Sequence, residues 1–301
     1  MIGRGRSRAP AASSEPLELR TKDGTSLACT LHEPEGKAFG DLILAHAMFA
    51  RQSAFVRPGG LAERFRARGW RVLTFDFRGH GRSGTAASKG GSWSYDDLVR
   101  EDLPAVVEAL RARRKRGPVV VLGHSLGGHV ALAAQGAGRL RADAFVTVGC
   151  NLWLRELATS RALRLVEAAS LGLFLRVAVR RGYFPARALR LGSDDEALPY
   201  VRDLHRFANQ GWRSADGRDD YLANLARIDV PVYAIASTGD RLNARPERVR
   251  AFHALCCGTT EIDVVRRSDD GSAAPDHAGL VTTTGAYSAF DRAEAFLRRE
   301  L

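Results

Sequence analysis

Short apolar runs alternate along most of the chain with stretches whose apolar residues recur at helical spacing. The runs Leu42 to Ala45, Arg71 to Phe77, Val119 to Gly123, Ala144 to Val148, Val230 to Ala236 and Glu261 to Val265 are brief and mostly rich in Val, Ile, Leu and Phe. That length and composition predict strands covered on both faces. Ahead of them, Leu17 to Arg20 and Ser26 to Leu31 flank Asp23-Gly24 and predict an opening hairpin. Helical patterns fill Leu61 to Arg68, Tyr95 to Arg113, Leu126 to Gln135, Arg245 to Leu255 and Ala286 to Arg299. Strands alternating with helices in this way predict an α/β fold with a doubly wound, mostly parallel sheet of eight strands.

The alternation breaks once, between Asn151 and Ile228. This stretch is too long for a connection, and Trp153, Phe174, Tyr183, Phe184, Tyr200, Phe207 and Trp212 make it too aromatic for disorder. It predicts a helical cap, residues 151–228, inserted after the sixth strand into a core made of 15–150 and 229–301. Residues 1–14 are basic and small without an apolar centre, so they are expected to form a disordered leader.

Composition narrows the function. Of 301 residues, 45% are hydrophobic and 26% charged, which is ordinary for a chain with a large buried core. The greasiest stretch, Ala162 to Val179, is interrupted by Arg164, Glu167 and Arg176 and does not predict a membrane span. The net charge of +11 comes from 41 arginines and four lysines spread from Arg4 to Arg299. Nucleic-acid binding needs clustered cations. The densest run, Arg111 to Arg116, sits instead where a helix should end, and there it complements the helix dipole. Cys29, Cys150, Cys256 and Cys257 lack metal-ligand spacing and are expected as reduced thiols in a cytoplasmic protein.

Chemistry concentrates at Gly123-His124-Ser125-Leu126-Gly127-Gly128, which follows an apolar strand and opens a helix. This is the setting of a nucleophile elbow, a turn so sharp that bulk at positions 123 and 127 would crowd the serine. A serine hydroxyl needs a base oriented by a carboxylate, and chain order in this arrangement runs serine, acid, histidine. Asp240 ends Ser237-Thr238-Gly239-Asp240, just after a strand, and is the expected acid. Of eight histidines, only His277 lies between the last predicted strand and the last helix, so it is the expected base; neighbouring Asp276 has no assigned role. His253 falls inside a helical pattern. The tetrahedral oxyanion requires two backbone donors, expected from Leu126 and, in the loop His46-Ala47-Met48-Phe49-Ala50, from Met48 with Phe49 the close alternative. Phe49 and His124 are expected to contact substrate.

The segments HAMFA, FDFRGHGRSG from Phe75 to Gly84, GHSLGG, TGD and DHAGL resemble, in order and spacing, the α/β-hydrolase superfamily over roughly residues 40–300. The glycine-rich loop after Phe77 is similar to that of monoacylglycerol-lipase-like and esterase-like members. The Ala-x-Met form of the oxyanion loop is similar to a group of predicted bacterial hydrolases. Relatives often have His-Gly there, and Ala47 substitutes for glycine only if its backbone avoids a positive φ. The resemblance implies esterase, lipase, thioesterase, amidase or acyltransferase chemistry. The expected reading is carboxylic-ester hydrolysis through an acyl-enzyme, with no metal or cofactor, on a small ester whose acyl group the apolar stretch Leu171 to Leu175 of the cap predicts to be apolar. Acyltransferase or thioesterase chemistry on the same residues, and a non-catalytic ligand-binding role, stay open at this level.

Overall fold

The computed structural model describes residues 13–113, 117–158 and 160–301. Most of the expected leader, and the end of the arginine run at 114–116, lie outside the described residues. Eight strands form the main sheet: β1 (Ser13–Arg20), β2 (Ser26–Glu33), β3 (Asp41–Ala45), β4 (Arg71–Phe75), β5 (Val119–His124), β6 (Ala144–Val148), β9 (Val232–Ser237) and β10 (Thr260–Val265). Their order is β1-β2-β4-β3-β5-β6-β9-β10, and β2 alone runs antiparallel to its neighbours. A second, two-stranded sheet, β7 (Tyr183–Phe184) with β8 (Glu196–Ala197), belongs to the insertion.

Side chains alternate across the sheet as the strand period requires. Leu42 and Leu44 of β3 join α1 (Leu61–Ala67) and α10 (Tyr287–Glu300) on one face. Ile43 and Ala45 meet α3 (Leu103–Arg113) and α4 (Leu126–Gly136) on the other. The short α2 (Tyr95–Asp97) joins α3 through one wide helical turn at Leu98–Asp102, so the expected helix over 95–113 is continuous but under-wound there. Helices α8 (Pro246–His253) and α9 (Gly279–Thr282) complete the core.

Several strand ends differ from the pattern-based expectation by one to four residues, three of them for a physical reason. β1 starts at Ser13, inside the expected leader, because its ladder with β2 extends to the pair Ser13 and Glu33. Pro16 is tolerated there since β1 is an edge strand. β4 stops at Phe75 because Phe77 N–H turns away to His46 Nε2. β9 begins only after Pro231, which has no N–H to give a ladder.

The insertion contains α5 (Arg161–Arg181), capped by the Ser160 hydroxyl and ended by Gly182 at φ 81°, then β7, β8, α6 (Leu198–Gln210) and α7 (Tyr221–Asn224). It is not uniform. Trp212 and Tyr221 are fully buried and meet Tyr95 of the core edge to face, and the Tyr95 hydroxyl meets His129 Nδ1 on α4. A Cβ on Gly136 of α4 would come within 2.5 Å of the Asn224 carbonyl, so α7 lies directly on that core helix. Among the described residues no helix is long and apolar enough to cross a membrane.

Candidate active site

In this sheet order the chain leaves β3 toward β4 but leaves β5 toward β6. Successive connections therefore part company between β3 and β5, and a crevice opens at the carboxyl ends of those strands. The loop after β3 and the turn after β5 are the segments that the sequence marks for chemistry.

Ser125 sits between β5 and α4 with φ 50° and ψ −109°, one of three non-glycine residues at positive φ among those described. Such a backbone is strained and persists only where the surroundings over-determine it. Ser125 N–H donates to the Val148 carbonyl at 2.9 Å. The packing leaves no room for side chains on either side. A Cβ on Gly123 would stand 2.3 Å from Gly128 N, and one on Gly127 would stand 2.3 Å from the Ala45 carbonyl oxygen. Among the described residues the Ser125 hydroxyl has no hydrogen-bond partner.

Asp240 follows β9 and is 2% exposed. One carboxylate oxygen accepts Asn243 N–H at 3.0 Å and the other accepts Nδ1–H of His277 at 2.5 Å. With Nδ1 donating, Nε2 of His277 carries the lone pair. The two loops are pressed together: Ser237 Oγ donates to the Pro275 carbonyl, and a Cβ on Gly239 would lie 2.2 Å from the Ala274 carbonyl oxygen. Gly239 is thus required for close approach. A Cβ on Gly149, the residue after the carbonyl that holds Ser125 N–H, would stand 3.1 Å from His277 Nδ1. Asp276 caps the turn into α9 by accepting Gly279 N–H at 2.7 Å. His253 is fully buried between Thr147 and the Val249 carbonyl.

The loop after β3 is fastened to the elbow by Gly127 N–H, which donates to the His46 carbonyl at 3.1 Å. His46 donates from Nδ1 to the Ala47 carbonyl and accepts Phe77 N–H on Nε2, so it is neutral, and burial pushes it down to about 3. Ala47 avoids a positive φ; Phe49 takes it instead, at 64°. Phe49 N–H is occupied by Glu196 Oε1 at 3.1 Å, whereas Met48 N–H and Leu126 N–H have no partner among the described residues. Only the latter two are available to a ligand. The Phe49 ring stacks on Phe184 and also meets Phe174 of α5, so the insertion packs against this loop.

His124 is placed differently from the expected substrate contact. It is 4% exposed, and its Nε2–H donates to the His277 carbonyl at 2.9 Å with the two rings 4.8 Å apart. Burial lowers its affinity for a proton. It supports the histidine loop from beneath.

Motif reading overlooked a set of supports. Arg78 of FDFRGHGRSG pairs with fully buried Asp102, in the under-wound turn, and with Asp23. Asp76 accepts Gln52 N–H beside the β3 loop. Glu196, Asp194 and His80 surround Phe49 and Arg51. Asp76, Arg78 and His80 lie in a quoted motif, but the role of each is recognisable only by the contact it makes across the fold; Asp102, Asp194 and Glu196 follow no local pattern.

The family described as serine aminopeptidase, S33, matches residues 40–265. A monoglyceride lipase of Saccharomyces cerevisiae is 28% identical over 190 residues, or 58% of this chain, and the match spans 60% of that lipase's own length. An esterase of Pyrococcus furiosus superposes with a TM-score of 0.61 at 19% identity, covering 96% of this chain and 93% of the other. An α/β hydrolase of Penicillium sp. sh18 superposes with a TM-score of 0.65 at 18% identity, covering 96% and 99%. At those identities the two structures speak to fold.

Proposed function

The chain belongs to the serine aminopeptidase S33 family of α/β hydrolases, and we propose that it is a serine carboxylic-ester hydrolase working through an acyl-enzyme on Ser125. One observation carries this reading: an unpartnered hydroxyl held in a strained turn whose N–H rests on the Val148 carbonyl, while Gly149, the next residue, lies against an imidazole whose Nδ1 is fixed by a buried carboxylate. Ser125 Oγ attacks the acyl carbonyl and its proton passes to His277 Nε2. Asp240 holds the imidazole in the tautomer that accepts this proton and balances the imidazolium. Met48 and Leu126 N–H groups receive the oxyanion, the second at the positive end of α4. Collapse expels the alcohol, which takes the proton from His277. Water, deprotonated by the same imidazole, then releases the acid and restores Ser125.

Phe49, Phe174 and Phe184 support an apolar acyl group, with α5 and β7 acting as a cap over it. The test is labelling by a fluorophosphonate, together with turnover of p-nitrophenyl esters. Ser125→Ala is expected to lose the label and about 10⁴-fold in kcat. An S125A protein that keeps more than about a tenth of wild-type turnover, on the scale of losses known for such residues, would overturn the assignment.

A further inference from the structure

Glu196 comes from β8 of the insertion and has no solvent exposure, yet it lies against the core loop that follows β3. Its Oε1 accepts Phe49 N–H and His80 Nε2–H, each at 3.1 Å, while Oε2 is buried without a partner. On the other side of the same residue, the Phe49 carbonyl accepts Ser193 N–H at 2.7 Å and Asp194 N–H at 3.3 Å. Arg51, two residues on, forms a two-pronged pair with Asp194. The approach is close enough that a Cβ on Gly192 would stand 2.4 Å from the Phe49 Cβ.

Phe49 needs this grip. A bulky aromatic residue at positive φ is strained and relaxes unless its neighbours forbid it. Relaxation would swing the peptide planes on both sides of Met48 and Phe49. With Glu196 occupying Phe49 N–H, the loop keeps a shape in which Met48 N–H stays free. Resting on the reading of the site given above, we infer that Glu196 is a positioning residue for the oxyanion donor, fixing Met48 N–H through the amide of Phe49.

His80 completes the arrangement. Both ring nitrogens face acceptors, the Arg78 carbonyl at 3.0 Å and Glu196, so both carry hydrogen and the ring is an imidazolium. Glu196 holds it protonated, raising it to about 9 against the opposing effect of burial. The other groups facing it are Asp194 of the insertion, neutral His46 at 5.1 Å between rings, and the Trp93 ring. Once His80 loses its proton, the ring keeps a single hydrogen and the positive charge that anchors the Glu196 carboxylate beside Phe49 is gone, so the grip on Phe49 N–H loosens.

The experiment measures kcat and KM for p-nitrophenyl esters across pH, per active site titrated with a fluorophosphonate so that unfolded protein is not counted. Glu196→Ala should lower kcat about 10- to 100-fold with KM within about threefold, because an oxyanion donor acts mainly in the transition state. Glu196→Gln, which keeps an acceptor oxygen, should recover most of that loss. Wild-type kcat should fall as pH rises through about 9, and this limb should be absent from E196Q, a readout available even if E196A does not fold. Full kcat in a folded E196A, or an unchanged alkaline limb in E196Q, overturns the inference. A wild-type protein that neither turns over esters nor takes the phosphonate overturns instead the reading of the site.

Discussion

Gly127→Ala is the smallest change that should disable the site while leaving the fold. The new Cβ would stand 2.3 Å from the Ala45 carbonyl oxygen, 2.6 Å from its carbon and 2.7 Å from its Cβ. Real Cβ atoms do not approach within 3.0 Å, so the gap must open by at least 0.7 Å, the difference between 3.0 Å and 2.3 Å. The obstacle is backbone at the end of β3 and cannot rotate away. Ala45 leads directly into His46, whose carbonyl holds Gly127 N–H, and on to Met48. The displacement therefore carries the loop after β3 away from Ser125 or breaks that hydrogen bond. Overpacking of this kind costs about 1–3 kcal/mol, or roughly 2–10 °C in Tm for a chain of this size. Misplacement by close to an ångström costs on the order of 10²-fold in rate. Gly172→Ala is the control: nothing lies within 4 Å of its added Cβ and its φ is ordinary for a helix, so it should raise stability by about 0.5–1 kcal/mol. Kinetics on p-nitrophenyl esters and a thermal melt of each variant decide the matter. A G127A protein that melts like wild type and turns over within about threefold of it would refute the packing argument.

Asp240→Asn should lower kcat on the order of 10²- to 10⁴-fold, since an amide can orient His277 in the wrong tautomer and cannot balance its charge; near-normal turnover would remove Asp240 from the mechanism. Stability should also depend on pH through His80. Its folded-state value of about 9 lies above the ordinary 6.5, so the pair with Glu196 stabilises fully below pH 6.5 and the contribution, on the order of 3 kcal/mol, is lost as pH rises through 9. Melting curves from pH 6 to 10 should show that fall in wild type and a shallower one in Glu196→Gln; parallel curves would contradict it. Along p-nitrophenyl esters from two to sixteen carbons, kcat/KM should climb by up to about 0.8 kcal/mol per buried methylene and then level. A flat series, or a preference for acetyl, would show that Phe49, Phe174 and Phe184 do not enclose an acyl chain.

The core was legible because its rules are local. Runs such as Val119 to Leu122 can only be strands buried on both faces, and all eight expected strands occur with ends shifted by a few residues. Gly123 and Ser125 were readable for the same reason, since the strain and crowding they satisfy arise within six residues, whereas the crowding at Gly127 comes from Ala45 on β3. Asp240 and His277 followed from their places after β9 and β10, and the structure sets them in hydrogen-bond contact. The insertion was harder. Its aromatic residues announced burial but not the partner, and Trp212 and Tyr221 turned out to pack on core helix α4 and Tyr95. Nothing near Glu196 or His80 in the chain signals that they meet, 116 residues apart, within the interior. The contact of His124 with the His277 carbonyl was not legible, because adjacency to Ser125 in sequence does not specify which way a strand residue points.

The grip of residues 193–196 on Phe49 and Arg51 has a consequence for recombination between relatives. An insertion lodged between two strands invites transplantation as a specificity module, with its ends joined after β6 and before β9. Here such a graft would remove both clamps on Phe49, the acceptor for its N–H and the donors to its carbonyl, and would leave Arg51 and His80 without their carboxylates. His80, fully buried, would then lack its counter-charge, which is costly in a protein interior, and Arg51 would lose its anchor. A chimera of this chain succeeds only if residues 49–51 and His80 travel with the insertion, so the exchangeable unit is discontinuous in sequence and includes part of what is nominally the core.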